Sequence, residues 1–570
     1  MPPPTVAAAP ATLPDAESAT LLLRAHPDDE YDYPSDADTD LENANEDDDD
    51  ADDAEADIED VEPNPFIFLL TALTSFSGFL FGYDTGYISG ALVAVGMDLG
   101  RILSPSDKEI ITSATSFGAL LGGLVAGVLA DVVGRKWVTL GANVVFIIGA
   151  LTQCFAHSVT VMVRGRLIMG LGVGVASLVA PLYISEMAPG RLRGRLVIVN
   201  IIAVTGGQVV AYIVGAVLET HTSGWRLLVA LGTLPAFVQL VVFVFMPETP
   251  RFLARAGRLR EAAGVIRAIY APPRRKGPQS PEAEAQHERL IHRKVKLLKH
   301  FNSDQHSEGA SVLARVAVEL RQIVSVPAYR RSLIIACGLQ GIQQVCGFNA
   351  MMYFSATIFE MAGFERPAVV SLGIAGTNLA FTFVAFGLID RLGRRNTLLY
   401  TMWAMGVALI ATAIALTKVL TPEDGTDRSG AAQFVVLAMV VYVAFYATGL
   451  GPVPWQQSEL FPMSVRGVGT SLATATNWAL NLVVSSTFLT MMEYLPGGSA
   501  FAVYAAMCFI GETLVYFMYP ETSYLTLEQV QGLFEDGFGV EKSIALSAAA
   551  RRRYEQMQEG AVERETSRAE

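Results

Sequence analysis

An ionisable residue within an apolar stretch is the clearest chemical signal in this sequence. Asp84 lies in the segment FGYDTG, residues 81–86, inside the first of many long apolar segments. A carboxylate near the centre of a membrane helix costs about 2.5–3.5 kcal/mol, so it needs a function or a partner. Arg166, in a later apolar segment, is the candidate partner. The pair predicts a proton-coupling site or, alternatively, a structural ion pair that moves no proton. Glu512, a second acid in an apolar segment, is interpreted as a satisfied polar contact or a further proton site.

Amide and indole side chains recur in the other apolar segments. Asn and Gln donate and accept hydrogen bonds without a charge to desolvate, which suits the hydroxyl groups of a neutral polyol. An indole offers an apolar face and one N–H donor. Alternatively, buried amides only join one membrane helix to another, and Gln340 could do either. The amides and indoles of these segments include Gln208, Gln343, Gln344, Asn349, Asn378, Trp455, Asn477, Trp478 and Asn481.

Charged motifs occur twice in the chain. The pattern Asp-x-x-Gly-Arg-basic at 131–136 recurs at 390–395, an offset of 259. Glu186, which is followed seven residues later by Arg193-Gly194, recurs as Glu459 with Arg466-Gly467, an offset of 273. Such copies predict two related halves, as in many secondary transporters, with the substrate site between them. We predict that these charges form a cytoplasmic gate; the alternative is a set of solvated pairs worth about 0–1 kcal/mol each. The gate candidates are Asp131, Arg135, Glu186, Arg193, Asp390, Arg394, Glu459 and Arg466.

The elements that must position these side chains are membrane helices. Of 570 residues, 51% are hydrophobic and only 17% are charged, whereas about a quarter of a soluble domain is charged. A spanning helix needs about 20 mainly apolar residues. We predict an all-α integral membrane fold with twelve transmembrane helices in two pseudo-symmetric six-helix halves. The predicted spans are 66–97, 110–130, 137–157, 161–185, 196–218, 226–246, 332–360, 367–389, 397–417, 433–457, 467–492 and 499–519.

The charges outside the spans predict the orientation and the domain organisation. Lys and Arg cluster in alternate connections, and cytoplasmic loops carry the excess of these residues, so both termini are expected in the cytoplasm. Residues 1–65 hold 22 Asp and Glu but only Arg24 as a base, a composition that predicts disorder. The predicted divisions are an acidic N-terminal tail at 1–62, six-helix halves at 63–246 and 331–520, a cytoplasmic loop with short helices at 247–330 and a cytoplasmic C-terminal tail at 521–570.

Several chemistries find no support in the sequence. There is no P-loop and no HExxH motif, so neither ATP-driven transport nor a zinc enzyme is expected. The four cysteines all lie in apolar segments without CxxC pairing and are interpreted as small buried hydrophobic residues. We therefore predict no catalytic residue, no cofactor and no metal site, and no nucleic acid among the partners.

Six stretches together resemble the sugar porter family of the major facilitator superfamily, over residues 64 to about 530. They are GVLADVVGRK, LYISEMAPGRLRGRL, PETPRFL, QGIQQVCGFNAMMYFS, GPVPWQQSELFP and YPETSYLTLEQV. Within that family, residues 65–92 and 173–189 are most similar to fungal myo-inositol transporters. The resemblance implies that the amides and indoles named above line the pocket. It also implies that Asp84 marks a proton-coupled member, because uniporters of the family commonly have Asn there.

These observations predict a proton symporter that carries a polyol or sugar, most of all myo-inositol, by alternating access. A hexose symporter, a facilitative uniporter and a non-transporting nutrient sensor are the alternatives. The expected partners are the small molecule, protons and the lipid bilayer, with the protein a monomer in the plasma membrane.

Overall fold

The structure, a computed structural model, describes most of the chain. The predicted acidic tail at 1–62 lies outside the described residues, as does the last part of the predicted C-terminal tail. The described residues are 64–219, 221, 223–270, 281–303, 312–421, 428–462, 464–525 and 527–552.

The first six spans agree closely with the predicted segments. Each is long and apolar enough to cross a membrane. A one-residue interruption at Ser75 divides span 1 into Phe66–Thr74 and Phe76–Ala94. Spans 1 to 6 are Phe66–Ala94, Pro105–Val133, Arg135–Cys154, Val159–Met187, Arg195–Leu218 and Gly224–Phe245.

The second half contains four further helices of this kind and two that are more polar. Spans 8, 9, 10 and 12 are Pro367–Ile389, Arg394–Leu420, Arg428–Thr448 and Ser499–Met518. Span 10 is followed by a short 3-10 helix, Val453–Leu460. Span 11 is the helix Arg466–Tyr494, and span 7 consists of Pro327–Val345 and Phe348–Met361. Ten helices of the described chain thus have the length and hydropathy of a membrane span. Span 7 is divided into two shorter helices, and spans 7 and 11 together carry most of the predicted amides.

Span 7 is broken at Gly347, between the amides Gln344 and Asn349. Gly347 has a φ of +88°, in the left-handed region that costs other residues strain. A Cβ on this residue would lie 2.6 Å from the ring of Tyr504 in span 12. A break in a membrane helix is tolerated where it is buried in protein or lines a cavity.

Close backbone contacts fix the spans that hold the predicted ion pair. A Cβ on Gly82 in span 1 would lie 1.8 Å from the carbonyl oxygen of Val204 in span 5. A Cβ on Gly174 in span 4 would lie 2.1 Å from the carbonyl oxygen of Ala119 in span 2. Because these residues are glycines, the helices approach so closely that no Cβ would fit between them. This close packing holds the spans that carry Asp84 and Arg166 in place.

The outer surface of the bundle is apolar. Phe117, Phe237, Phe245 and Trp403 are all at least 44% exposed, on three different spans. A contiguous surface of this kind would be unstable in water and is the surface that a bilayer requires.

Short helices pack against the end of the bundle where Arg135 and Arg394 lie, which we call the basic end. Pro250–Arg255, Leu259–Ile269, Pro281–Ser303 and Val312–Ser325 connect the two halves. After span 12, Leu527–Gly532 and a helix over 540–552 follow. Ser547 in this last helix donates to the carbonyl oxygen of Ser523, and Ser543 accepts from the N–H of Glu521, so the helix lies against the end of span 12.

Candidate functional site

Asp84 and Arg166 form a buried ion pair at the centre of the first half. The two residues are 2% and 1% exposed, and Nη1 of Arg166 donates to Oδ1 of Asp84. Burial of two charges is costly unless their geometry and further hydrogen bonds compensate for lost water. The structure therefore brings together the two residues that the sequence singled out for proton coupling.

Two polar side chains complete this centre, and sequence reasoning missed both. Nη1 of Arg166 also donates to Tyr87 Oη at 3.0 Å, and the hydroxyl of Tyr87 donates to Oε1 of Gln153 at 2.7 Å. Nε of Arg166 donates to the carbonyl oxygen of Ile111 at 3.3 Å. Tyr87 follows Asp84 by three residues, a helical spacing that places it on the same face of span 1, and this spacing was the signal available.

Amides of spans 7 and 11 form one hydrogen-bonded cluster, which we call the amide cluster: Gln340, Gln343, Gln344, Asn349, Asn477 and Asn481. Nδ2 of Asn477 donates to Gln340 at 2.6 Å and to Gln343 at 2.9 Å. Oε1 of Gln344 accepts from Asn349 at 2.7 Å and from Asn481 at 2.9 Å. All but Asn349 are buried.

The amide cluster is also connected to its surroundings. Nε2 of Gln343 donates to the carbonyl oxygens of Leu450 and Gly451, both at 2.9 Å, next to the 3-10 helix after span 10. Oδ1 of Asn481 accepts from Oγ of Ser116 at 2.5 Å, across the boundary between the halves. A set of amides that satisfy one another can exchange these bonds for bonds to hydroxyl groups.

Gln208 and Asn378 form a second, separate contact between the halves. Nδ2 of Asn378 in span 8 donates to Oε1 of Gln208 in span 5 at 2.8 Å, and both side chains are buried. These two predicted residues thus meet each other, and no hydrogen bond among the described residues joins them to the amide cluster.

One of the two predicted indoles has a described environment. Trp478 is 1% exposed; its Nε1 donates to Oγ of Ser177 at 3.2 Å, and its ring makes an edge contact with Phe81 at 5.4 Å between centroids. Trp478 therefore joins span 11 to spans 1 and 4. The side chain of Trp455 lies outside the described residues.

The predicted gate residues pair within each half. In the first, Nη2 of Arg135 lies 2.9 Å from Oε1 of Glu186 and 3.0 Å from Oδ1 of Asp131. Arg255 extends this network, 3.1 Å from Asp131. These pairs hold the basic ends of spans 2, 3 and 4 together.

The second half repeats one of these pairs. Nη2 of Arg394 lies 3.2 Å from Oε2 of Glu459, whereas Arg466 donates to the carbonyl oxygen of Phe461 at 3.2 Å through both Nε and Nη2. The side chains of Arg193 and Asp390 lie outside the described residues.

A carboxylate caps the start of span 3 and of span 9, and the sequence pattern did not reveal this role. Glu248 accepts from the N–H groups of Arg135, Lys136 and Thr249 at 3.1, 3.1 and 3.0 Å. In the second half, Glu521 accepts from Arg394, Arg395 and Ser523 at 3.0, 3.1 and 3.0 Å. A negative charge at a helix N-terminus satisfies free N–H groups and complements the helix dipole. Burial raises the pKa of the Glu248 carboxyl above its ordinary value. The motif Pro-Glu-Thr, which occurs at 247–249 and again at 520–522, was the signal for both caps.

At the end opposite the basic end, polar contacts join the halves. Glu109 in span 2 is buried and accepts from both the backbone N–H and Oγ1 of Thr490 in span 11, each at 2.7 Å. Oγ of Ser89 lies 2.9 Å from Oγ of Ser355, which joins spans 1 and 7. The path between the halves is therefore closed at these positions. Glu109, an acid at the edge of an apolar segment, was missed by sequence reasoning.

Glu512 has a different environment from Glu109. It is half-buried in span 12, and no hydrogen bond or ion pair joins it to another described residue. Its interpretation as a satisfied polar contact is therefore wrong for the described part of the chain.

Comparison with known proteins gives matches over most of the chain. The profile of the family described as "Sugar (and other) transporter" matches residues 70–534. Myo-inositol transporter 1 of Saccharomyces cerevisiae is 46% identical over 492 residues, which cover 85% of this chain and 82% of that protein. Myo-inositol transporter 1 of Cryptococcus neoformans var. grubii is 45% identical over 486 residues, which cover 84% of this chain and 83% of that protein.

Solved structures show the same architecture. The proton:xylose symporter XylE bound to 6-bromo-6-deoxy-D-glucose has a TM-score of 0.66 and 25% identity, over 82% of this chain and 99% of that one. The likeness confirms the predicted twelve-helix fold with two related halves.

Proposed function

The chain belongs to the Sugar (and other) transporter family, and from this premise we propose that it carries myo-inositol together with a proton by alternating access. Membership makes the protein a multi-pass membrane transporter rather than an enzyme. The observation that carries the proposal is the presence of both a buried carboxylate–guanidinium pair and a buried amide cluster within one helical bundle.

The substrate proposal rests on the chemistry of the amide cluster. Each amide offers a donor and an acceptor, and a polyol hydroxyl offers both in return. Hydrogen bonds that the amides now make to one another, such as Asn349 to Gln344 at 2.7 Å, are replaced by bonds to substrate at little net cost. The names of the two relatives support myo-inositol as the polyol. The proposed binding residues are the nine amides and indoles predicted above.

The coupling proposal rests on Asp84 and Arg166. An ionised Asp84 is held by the guanidinium of Arg166, and protonation of the carboxylate removes the attraction between them. We infer that Asp84 takes a proton from the outer side, that substrate then binds, and that the proton leaves on the inner side before the carrier resets. The similarity to XylE, a proton:xylose symporter, supports this assignment.

The gate and orientation proposals concern the basic end. We propose that it faces the cytoplasm in a plasma membrane, since Lys and Arg are enriched in cytoplasmic loops, with both termini there and the protein a monomer. The ion pairs Arg135–Glu186 and Arg394–Glu459 then lie at the inner mouth. We propose that they hold the basic ends of the helices together within each half in the outward-open state, and that they break as this end opens.

Uptake of labelled myo-inositol and glucose, in cells that lack their own carriers, tests the proposal. Both are measured at acidic and neutral external pH, with and without a protonophore. Concentrative myo-inositol uptake that rises in acid and collapses with the protonophore is the expected result. Uptake that equilibrates without regard to pH would overturn the coupling, and uptake of glucose alone would overturn the substrate.

A further inference from the structure

The helix Pro281–Ser303 presents a row of cations to the outside of the protein. Arg289, Arg293 and Lys296 are all exposed, and their spacing of four and three residues places them on one face of the helix. None of the three has an ion-pair or hydrogen-bond partner among the described residues. We call this row the basic face.

The other side of the same helix is fixed to the first half. Ile291 and Val295 are buried in a core that also contains Ile67 of span 1. Glu288 accepts from Arg267 at 2.7 Å through both of its oxygens. The helix is therefore held rigidly, with the basic face turned away from the core.

The chain enters the described structure beside this helix. The N–H of Asn64 donates to the carbonyl oxygen of Ile269 at 2.9 Å, and the next residue, Tyr270, accepts from Nζ of Lys294 in the basic helix at 3.1 Å. Residues 46–62, which directly precede this point, contain twelve Asp and Glu and neither Lys nor Arg.

The reach of that segment matches the basic face. Seventeen residues span at most about 60 Å when extended, and a helix of 23 residues is about 35 Å long. Because the segment is tethered at Asn64, its effective concentration at the basic face is in the millimolar range, so weak individual charge pairs suffice to hold it.

We propose that residues 46–62 dock on the basic face of the same molecule. The contact links the acidic segment to the helix that covers the basic end of the first half, and thereby adds an electrostatic restraint to that helix. Such a contact weakens as salt screens the charges.

Zero-length carbodiimide cross-linking of the full chain in nanodiscs of neutral lipid tests the proposal. We expect amide bonds between Lys296 and acids of 46–62, and we expect them to be lost at high salt. They should be several-fold more abundant than amide bonds to Lys542, an exposed lysine at the basic end of the second half. Isotope-mixed samples separate links within one molecule from links between two. Equal yields at the two lysines, or links only between molecules, would overturn the proposal.

Variants and lipid composition sharpen the test. The double variant Arg289→Glu/Arg293→Glu is expected to lose the Lys296 links. The control variant Arg321→Glu/Arg330→Glu, which changes exposed positions at the basic end of the second half, is expected to keep them. If the links vanish when phosphatidylserine replaces neutral lipid, the basic face binds the membrane rather than the acidic segment, and the proposal is wrong.

Discussion

At the scale of single residues, the first half holds the charge and the second half holds most of the amides. Asp84 and Arg166 lie on spans 1 and 4, while the amide cluster lies on spans 7 and 11. Ser116 of span 2 and Asn481 of span 11 join the two halves through a hydrogen bond of 2.5 Å. The two chemistries are therefore separable by substitution.

Asp84→Asn is expected to abolish accumulation of substrate while downhill flux continues. The amide keeps the size of the side chain and an acceptor for Arg166, but it exchanges no proton at physiological pH. Concentrative and equilibrative uptake are measured in the same cells. Asp107→Asn is the matched control, because Asp107 is also buried and paired with an arginine, Arg101, but lies at the end opposite the basic end. Accumulation by Asp84→Asn would contradict the coupling role.

Gln344→Ala is expected to raise KM for myo-inositol about tenfold or more. Loss of one buried hydrogen-bonding group costs about 1–3 kcal/mol, and Gln344 contacts three other amides. The control is Gln239→Ala: Gln239 is equally buried but bonds Ser77 within the first half. It should lose thermal stability with KM unchanged. The same KM change in both variants would show that the cluster only joins helices.

At the scale of elements, the backbone contacts between spans are tight enough to test by adding one methyl group. Gly174→Ala places a Cβ 2.1 Å from the carbonyl oxygen of Ala119, so span 2 or span 4 must move. Overpacking of this kind costs about 1–3 kcal/mol. The melting temperature of the purified protein should fall. Gly373→Ala, at a helical position with open space around it, should leave the melting temperature unchanged or higher.

The elements themselves were the part that sequence patterns predict best. A run of about 20 apolar residues has few alternatives to a spanning helix, so spans 2 and 12 differ from their predicted bounds by only a few residues. A glycine at position 347 indicates that span 7 can bend or pack closely there, but its contact with the ring of Tyr504, more than 150 positions along the chain, depends on how the helices pack.

The site was predictable in its residue types but not in its contacts. Asp84 and the amides stand out because polar groups are rare in apolar segments. That Asn477 bonds Gln340, or that Glu109 bonds Thr490 across 381 positions, depends on how helices pack. In the sequence, the Pro-Glu-Thr stretches that contain Glu248 and Glu521 are recognisable only as a repeat. The same three residues could equally lie in an exposed loop, so the stretch alone does not predict a helix cap.

At the scale of the whole molecule, the contact between Glu109 and Thr490 holds the halves together at the end opposite the basic end. Thr490→Val removes one buried hydrogen bond, worth about 1 kcal/mol, and should shift the equilibrium toward opening at this end about fivefold. Spin labels at the exposed positions Met97 and Tyr494 report the separation of the halves.

The control for this measurement is Thr487→Val. Thr487 is exposed and bonds only a carbonyl oxygen of its own helix, that of Val483. The distance distribution should stay as in the parent protein. An unchanged distribution in Thr490→Val would mean that other contacts, such as Ser89 with Ser355, maintain the closure alone.

The paired caps at Glu248 and Glu521 carry a consequence for the ancestry of the chain. Each caps a helix that starts after a glycine with positive φ, Gly134 or Gly393, so both halves contain the same turn, which is the relation that duplication of a half-length gene produces. The ionised pair and the amide cluster have no such twin in the other copy among the described residues. The two copies therefore share the turn at the start of spans 3 and 9, whereas the ion pair lies in one copy and the amide cluster in the other.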